Sequence, residues 1–306
     1  MPDTRYRMPD AGCRIQDTGY RIQDTGWKDA TYEVQQISQF PPPSQGFGGQ
    51  RNFKMKTKSF FFLFLLSFLA PPGKKIKVYL IGDSTMCVYE PDRAPLTGWG
   101  MPFAQFFDST VVIDNRARGG RSTRTFISEN RWKPISDSLN EGDYVLIQFG
   151  HNDEAKEEKY KDRYTPVPDY KANLVKFIVE TRAKKAIPVL ISPVTRMKFD
   201  KEGKIMETHV DYTAAMHEIA KQYEVPLVDL DKKSRELLQQ FGPENAKLLF
   251  MQLEPGEHPN YPNGQKDNTH FNEFGARRIA ELVLGEIRTL HLELAERVVK
   301  KIPVKK

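Results

Sequence analysis

The sequence predicts an α/β fold, a doubly wound three-layer sandwich with a five-stranded parallel sheet. Two observations carry that expectation. Short apolar, β-branched runs recur between Lys77 and Leu230 and alternate with amphipathic stretches of helical period, a pattern met by parallel strands with right-handed crossovers. Residues suited to chemistry follow several of those runs, and open α/β sheets place their sites at the strands' carboxyl ends.

The first run leads from Lys77 to Gly82 and delivers Asp83-Ser84-Thr85-Met86 to a strand end. Asp83 or Ser84 is also a good N-cap residue, so the triplet alone does not decide between a cap and a nucleophile. Gly98–Phe107 has apolar residues at helical spacing and is expected to form the first crossover helix. Val111–Asn115 is the second strand, ending in Arg116-Ala117-Arg118-Gly119-Gly120-Arg121-Ser122, where a glycine pair permits positive φ and close approach to a ligand. Ser122 or Thr123 is expected to cap a helix running towards Leu139.

Asp143–Phe149 is the third strand and opens into Gly150-His151-Asn152-Asp153. Helix Asp169–Lys185, strand Ile187–Ser192, helix His209–Tyr223, strand Pro226–Leu230 and helix Lys232–Phe241 complete five β/α repeats. From Leu253 the pattern gives way to a long turn-rich loop through Gly264, and such loops inside compact domains are uncommon unless functional. It ends at Asp267-Asn268-Thr269-His270, after which Asn272 or Glu273 starts a final helix through Ile287.

The first seventy residues differ in kind. Tyr6–Gly12, Cys13–Gly19 and Tyr20–Gly26 form a polar seven-residue repeat without a hydrophobic seam, followed by a Pro- and Gly-rich stretch at 41–49. Neither can bury a face, so residues 1–54 are expected to be a disordered or non-native extension. Met55-Lys56-Thr57-Lys58 is a basic head before the apolar run Ser59–Ala70, the layout of a secretory signal peptide and too short for a membrane span. Translation is expected to begin at Met55, with the protein exported to the periplasm or the medium. Phe68 and Pro71 fit a cleavage site at Ala70 poorly, which leaves a retained N-terminal anchor as the alternative. The catalytic body is expected over 74–291, with a basic tail at 292–306.

Of the net charge of +6, residues 1–70 carry nine Lys/Arg against six Asp/Glu, so +3 is spread over the remainder. The sequence shows no basic stripe of the kind nucleic-acid binders carry, and no nucleic-acid partner is expected. The two cysteines, Cys13 and Cys87, allow no disulfide framework once Cys13 is set aside with the extension, and Cys87 reads as a small buried residue rather than a nucleophile. Zinc-like Cys/His spacing, an EF-hand and a P-loop are all lacking.

Acyl transfer by a serine needs a base, a group that orients the base, and donors for the developing oxyanion. Ser84 is the candidate nucleophile and His270 the base. Asp267, three residues earlier, is placed to hold one imidazole nitrogen while the other faces Ser84. The backbone N–H groups of Ser84 and Gly120 and the side-chain amide of Asn152 are the candidate oxyanion donors. His151, His209 and His258 have no aspartate at the same offset. The duller readings are a turn residue for Asn152 and loop geometry for Gly120.

Gly82-Asp83-Ser84-Thr85-Met86, Gly119-Gly120-Arg121-Ser122, Gly150-His151-Asn152-Asp153 and Asp267-Asn268-Thr269-His270 resemble, in order and spacing, the four blocks of the GDSL or SGNH hydrolases. The resemblance spans nearly all of 74–291 and implies a flavodoxin-like α/β/α sandwich, the residue roles just given, and neither metal nor organic cofactor. Thr85-Met86, in place of the family's usual Leu, and Gly98-Trp99-Gly100 resemble the rhamnogalacturonan acetylesterase branch, which deacetylates the pectin backbone. The implied partner is an acetylated polysaccharide or oligosaccharide.

Asp83, Arg121, Arg124, His258 and Tyr261 are candidate substrate contacts, the arginines because their planar fork suits a galacturonate carboxylate. Trp99 and Trp132 are weighed between sugar stacking and core packing, with core packing preferred for Trp99. Rival readings keep the serine chemistry on acetylated xylan, another glycan or a small ester, or abandon catalysis for carbohydrate binding on the same scaffold. A lipase should carry an apolar lid, whereas the loop before Asp267 is polar.

Overall fold

Strands β1 (Ile76–Gly82), β2 (Val111–Asn115), β3 (Tyr144–Gln148), β4 (Ile187–Ile191) and β5 (Leu227–Val228) form one parallel sheet in the order β2-β1-β3-β4-β5. The structure is a computed structural model and describes residues 75–299. Successive side chains on a strand point to opposite faces, so each strand feeds two cores. Val78 and Leu80 of β1 pack with α1 (Gly100–Phe103), α6 (Leu230–Asn245) and α7 (Glu273–Thr289). Tyr79 and Ile81 pack on the other side with α2 (Thr123–Ser128), α3 (Lys133–Ser138), α4 (Val167–Ala183) and α5 (Val210–Gln222). The three-layer sandwich read from the sequence is the observed architecture.

Helix α7 shows how the sequence sets an element. Asn272 accepts a hydrogen bond from the Gly275 N–H at 3.0 Å and starts the helix, and Ala276, Ile279, Ala280, Val283 and Ile287 bury one stripe at three- and four-residue spacing. Each fully buried Ile or Val side chain there contributes roughly 1.5–3 kcal/mol.

Several expected elements differ in extent. The first crossover is only the four-residue α1 followed by a 3-10 turn, because Gly98 and Gly100 press on the Met86–Cys87 backbone so closely that a Cβ on Gly98 would stand 2.0 Å from the Cys87 carbonyl oxygen. The helix expected from Ser122 to Leu139 breaks into α2 and α3 around Asn130, which has φ 55°. The late loop is mostly a hairpin connection: β6 (Phe250–Leu253) pairs antiparallel with β7 (Gln265–Phe271) in a second sheet. Asp267 and His270 therefore lie on a strand and not in a loop.

At the C-terminus, residues 292–299 are not a free tail. Glu293–Arg297 forms a 3-10 turn, Leu294 is fully buried, and the Val299 N–H donates to the Phe106 carbonyl at 2.9 Å. The repeat, the signal-like segment, Cys13 and residues 300–306 lie outside the described residues. Among the described residues no helix is long and apolar enough to cross a membrane.

Candidate active site

Gly82 ends β1, and the chain turns at Asp83 to lift Ser84 above the sheet. The turn is held from below. The Asp83 carboxylate accepts from the Thr85 N–H at 2.9 Å and hydroxyl at 2.8 Å, the Gln148 amide donates to Thr85 Oγ1 at 2.7 Å, and the Trp99 indole donates to Gln148 at 2.5 Å. The Tyr89 hydroxyl donates to the Ser84 carbonyl at 2.8 Å. These bonds leave the Ser84 side chain free to point away from the core.

On β7 a bulge does the complementary work. Met251 opposes Asp267 while its neighbour Phe250 opposes Phe271, so Asn268, Thr269 and His270 are extra residues on one side of the ladder. In a regular strand, residues three apart face opposite sides; the bulge turns Asp267 and His270 towards each other. Asp267 Oδ2 lies 2.7 Å from His270 Nδ1, and His270 Nε2 lies 2.9 Å from Ser84 Oγ. Asp267 Oδ1 accepts from the Thr269 N–H at 2.7 Å and the His270 N–H at 3.0 Å. Burial works to raise the Asp267 pKa, but His270 and these two backbone donors outweigh it and hold the carboxyl below its usual range.

Gly120 adopts φ +79°, a region closed to most L side chains, and borders the same pocket as Ser84 and Asn152. Asn152 donates one amide N–H to the Arg121 carbonyl at 3.0 Å, which fixes its side chain and leaves a second N–H for another acceptor. Asp153 anchors this loop to α2. Its Oδ1 accepts from the Thr123 N–H at 2.9 Å and hydroxyl at 2.6 Å, and burial pushes its pKa up to about 7.

The pocket encloses about 890 Å³ and opens over Ser84 and His270. Beneath it, His151 lies with Nδ1 3.5 Å from Asp83 Oδ2 and its ring centroid 4.2 Å from that of His209. His209 Nδ1 is 3.0 Å from Glu154, Glu154 pairs with Arg196 at 2.9 Å, and Arg196 donates to the Thr269 hydroxyl at 3.0 Å. Burial and the neighbouring His209 depress His151 to about 4, so its ring is neutral near pH 7. Asp83 stays below its ordinary value: burial opposes this, but His151 and the Thr85 donors prevail.

Ser84, His270, Gly120 and Asn152 thus come together around one pocket, with Asp267 bonded to His270 from behind. The candidate substrate contacts do not. Asp83 is fully buried and cannot touch a ligand. Arg121 is turned to Glu129 at 2.9 Å and to the Gly119 carbonyl, and Arg124 reaches the Tyr164 carbonyl at 3.3 Å. Tyr261 donates to the Arg93 carbonyl at 2.9 Å and lines a separate hollow of about 160 Å³ behind Asp267. His258 accepts from the Asn260 N–H at 3.2 Å in the hairpin loop, away from the pocket. Trp99 and Trp132 are both core residues. Cys87 is buried, and its environment raises its thiol pKa, as suits an inert thiol.

The pocket wall instead comes from segments without a recognisable pattern. Glu154, Tyr160 and Arg163 follow β3, and Arg196 and Asp211 follow β4. Arg196 was within reach of sequence reasoning, since it stands just past a strand's carboxyl end. Tyr160 and Arg163 carried no such signal. Among the described residues no group of three or more His, Cys, Asp or Glu side chains is arranged to hold a metal ion.

A family model described as GDSL-like Lipase/Acylhydrolase matches residues 78–283. The rhamnogalacturonan acetylesterase RhgT of Bacillus subtilis is 43% identical over 229 residues, which cover 74% of this chain and 96% of that protein. The probable rhamnogalacturonan acetylesterase YesY of the same organism is 36% identical over 73% of this chain and 97% of its own length. Among solved structures, the Bacillus subtilis protein YxiM matches with a TM-score of 0.62 and 27% identity, covering 72% of this chain and 58% of that one. A catalytic mutant of Axe2, an acetylxylan esterase from Geobacillus stearothermophilus, has a TM-score of 0.52 at 19% identity over 71% of this chain and 95% of that one; the likeness is one of fold.

Proposed function

The chain belongs to the GDSL-like lipase/acylhydrolase family, and from that premise we propose that it removes acetyl groups from rhamnogalacturonan with Ser84, His270 and Asp267 as its catalytic triad. The observation that carries the chemistry is the unbroken line from Ser84 Oγ to His270 at 2.9 Å and on to Asp267 at 2.7 Å, at the mouth of an open pocket. The substrate class rests on two relatives, 43% and 36% identical over nearly their whole lengths, whose names carry that activity.

In this mechanism Ser84 Oγ attacks the acetyl carbonyl carbon as His270 Nε2 takes the hydroxyl proton. Asp267 holds Nδ1–H and stabilises the imidazolium. Negative charge develops on the carbonyl oxygen, which accepts from the backbone N–H groups of Ser84 and Gly120 and the free amide N–H of Asn152. The ester C–O bond breaks, the sugar hydroxyl leaves with the proton from His270, and Ser84 is acetylated. Water, deprotonated by His270, then attacks the acetyl-serine and releases acetate. The signal-like layout of Met55–Ala70 supports an exported protein, as a polymeric cell-wall substrate requires.

Acetate release from acetylated rhamnogalacturonan and acetylated xylan, measured in parallel with Ser84→Ala as control, tests the proposal. The expected result is release mainly from the pectic polymer and a loss of at least about 10⁴-fold in the variant. Release from xylan alone would overturn the substrate and keep the serine chemistry; undiminished release by Ser84→Ala would overturn the mechanism.

A further inference from the structure

Two arginines line the catalytic pocket, and they stand in opposite electrostatic situations. Arg196 is neutralised by Glu154 and bonded to Thr269. Arg163 is different. Its guanidinium carbon lies 3.7 Å from the centroid of the Tyr160 ring, its Nε is buried with no hydrogen-bond partner, and no carboxylate among the described residues pairs with it. One terminal nitrogen comes within 3.6 Å of the point where a Cβ on Gly120 would stand, so the cation sits beside the proposed oxyanion donors.

An unpaired guanidinium with a buried edge is a costly feature unless something offsets it. Stacking on Tyr160 offsets part and holds the fork in one plane. What remains is a planar set of donors with no acceptor among the described residues, facing the space a substrate occupies. The chemistry that matches such a fork is a two-oxygen anion taken in bidentate fashion, a carboxylate above all. An acetylated sugar that carries one is a uronate. Arg121 and Arg124, the arginines the sequence put forward for this task, are engaged elsewhere.

Resting on the pectin reading of the site, we propose that Arg163, held flat by Tyr160, binds the uronate carboxylate of the acetylated chain and so selects acidic over neutral acetylated glycans. Nothing in the triad discriminates between these substrates, since the ester group is the same in both. The discrimination comes from the wall after β3.

The test compares kcat/KM for acetylated rhamnogalacturonan with that for the same polymer after its uronate carboxyls have been reduced to alcohols, using the full-length protein, Arg163→Gln and Arg163→Lys. Wild type is expected to favour the acidic polymer by about 10- to 100-fold, with the preference mainly in KM. In Arg163→Gln the ratio of the two constants should collapse towards one, and Arg163→Lys should keep part of it, since charge remains but the fork is lost. A ratio is read, so a smaller folded fraction in either variant cancels. Wild type indifferent to carboxyl reduction, or an unchanged ratio in Arg163→Gln, would overturn the assignment and leave the acetylesterase reading standing. Wild type that hydrolyses 4-nitrophenyl acetate through Ser84 yet releases acetate from neither polymer would overturn the pectin reading, and this inference with it.

Discussion

The floor and the outer wall of the pocket are built on different terms. In the floor, buried hydrogen bonds tie Trp99, Gln148, Thr85 and Asp83 under the nucleophile turn, and Asp267 spends both carboxylate oxygens on its own bulge and on His270. In the wall, Lys156 and Glu157 are exposed, Tyr160 is half-buried and Arg163 has no carboxylate partner among the described residues. The floor must hold reacting atoms to within a few tenths of an ångström, which packed and partnered groups achieve. The wall must reach a variable polymer, and long charged side chains on irregular backbone suit that task. On the proposed roles, bond making and substrate choice fall to separate parts of one pocket, and mutations in each should fail in different ways.

The sharpest break in that division comes from Asn152, a floor residue whose amide is fixed by the Arg121 carbonyl at 3.0 Å. Asn152→Ala removes one of the proposed oxyanion donors and is expected to lower kcat by about 10²–10³-fold with little change in KM. Steady-state kinetics on 4-nitrophenyl acetate and on the polymer should show the same factor, since both esters form the same oxyanion. A loss confined to KM, or one below about tenfold, would place Asn152 in the wall and not the floor.

The same division decides what could be read from the sequence. Ser84, Gly120 and Asn152 were legible because each stands just past an apolar strand, where glycines mark the turn. Asp267 and His270 were legible as a pair, yet their setting was not. The strand Gln265–Phe271 reads QKDNTHF, without apolar alternation, and its bulge hides the pairing with Phe250–Leu253. Asp83, a candidate substrate contact by sequence, has its oxygens buried under the turn it stabilises. Arg163, stacked on Tyr160, meets Gly120 only through the fold, across a span with no local period to betray it.

A second prediction concerns the stability of the floor. The His151 ring titrates at about 4 when folded and near its ordinary 6.5 when unfolded. Between those values the unfolded chain holds a proton that the folded chain refuses, so acidification from pH 6.5 to pH 4 weakens folding by about 3 kcal/mol through this residue. Asp153, raised to about 7, acts oppositely, because there the folded chain takes the proton first. The informative quantity is therefore the difference between wild type and His151→Asn at each pH, in which Asp153 cancels. Denaturant unfolding should show wild type losing ground to the variant as pH falls through this window. Parallel stability curves would mean that His151 is not held neutral by its surroundings.

The smallest effects belong to arginines near the pocket that do not enter it. Arg124 is exposed and reaches only the Tyr164 carbonyl at 3.3 Å, so Arg124→Ala should leave kcat/KM on the acidic polymer within about twofold. Arg121 has slightly more to lose. Its guanidinium donates to the Gly119 carbonyl at 2.9 Å and pairs with Glu129, and this braces the turn that carries Gly120. Arg121→Ala should cost no more than about fivefold, and it should do so equally on acidic and carboxyl-reduced polymer, since a loosened oxyanion turn affects every acetyl ester alike. An acidic-specific loss in either variant would move carboxylate recognition from Arg163 to the turn after β2. The separation of floor from wall would then fail at the point where the two regions lie closest, between Gly120 and Arg163.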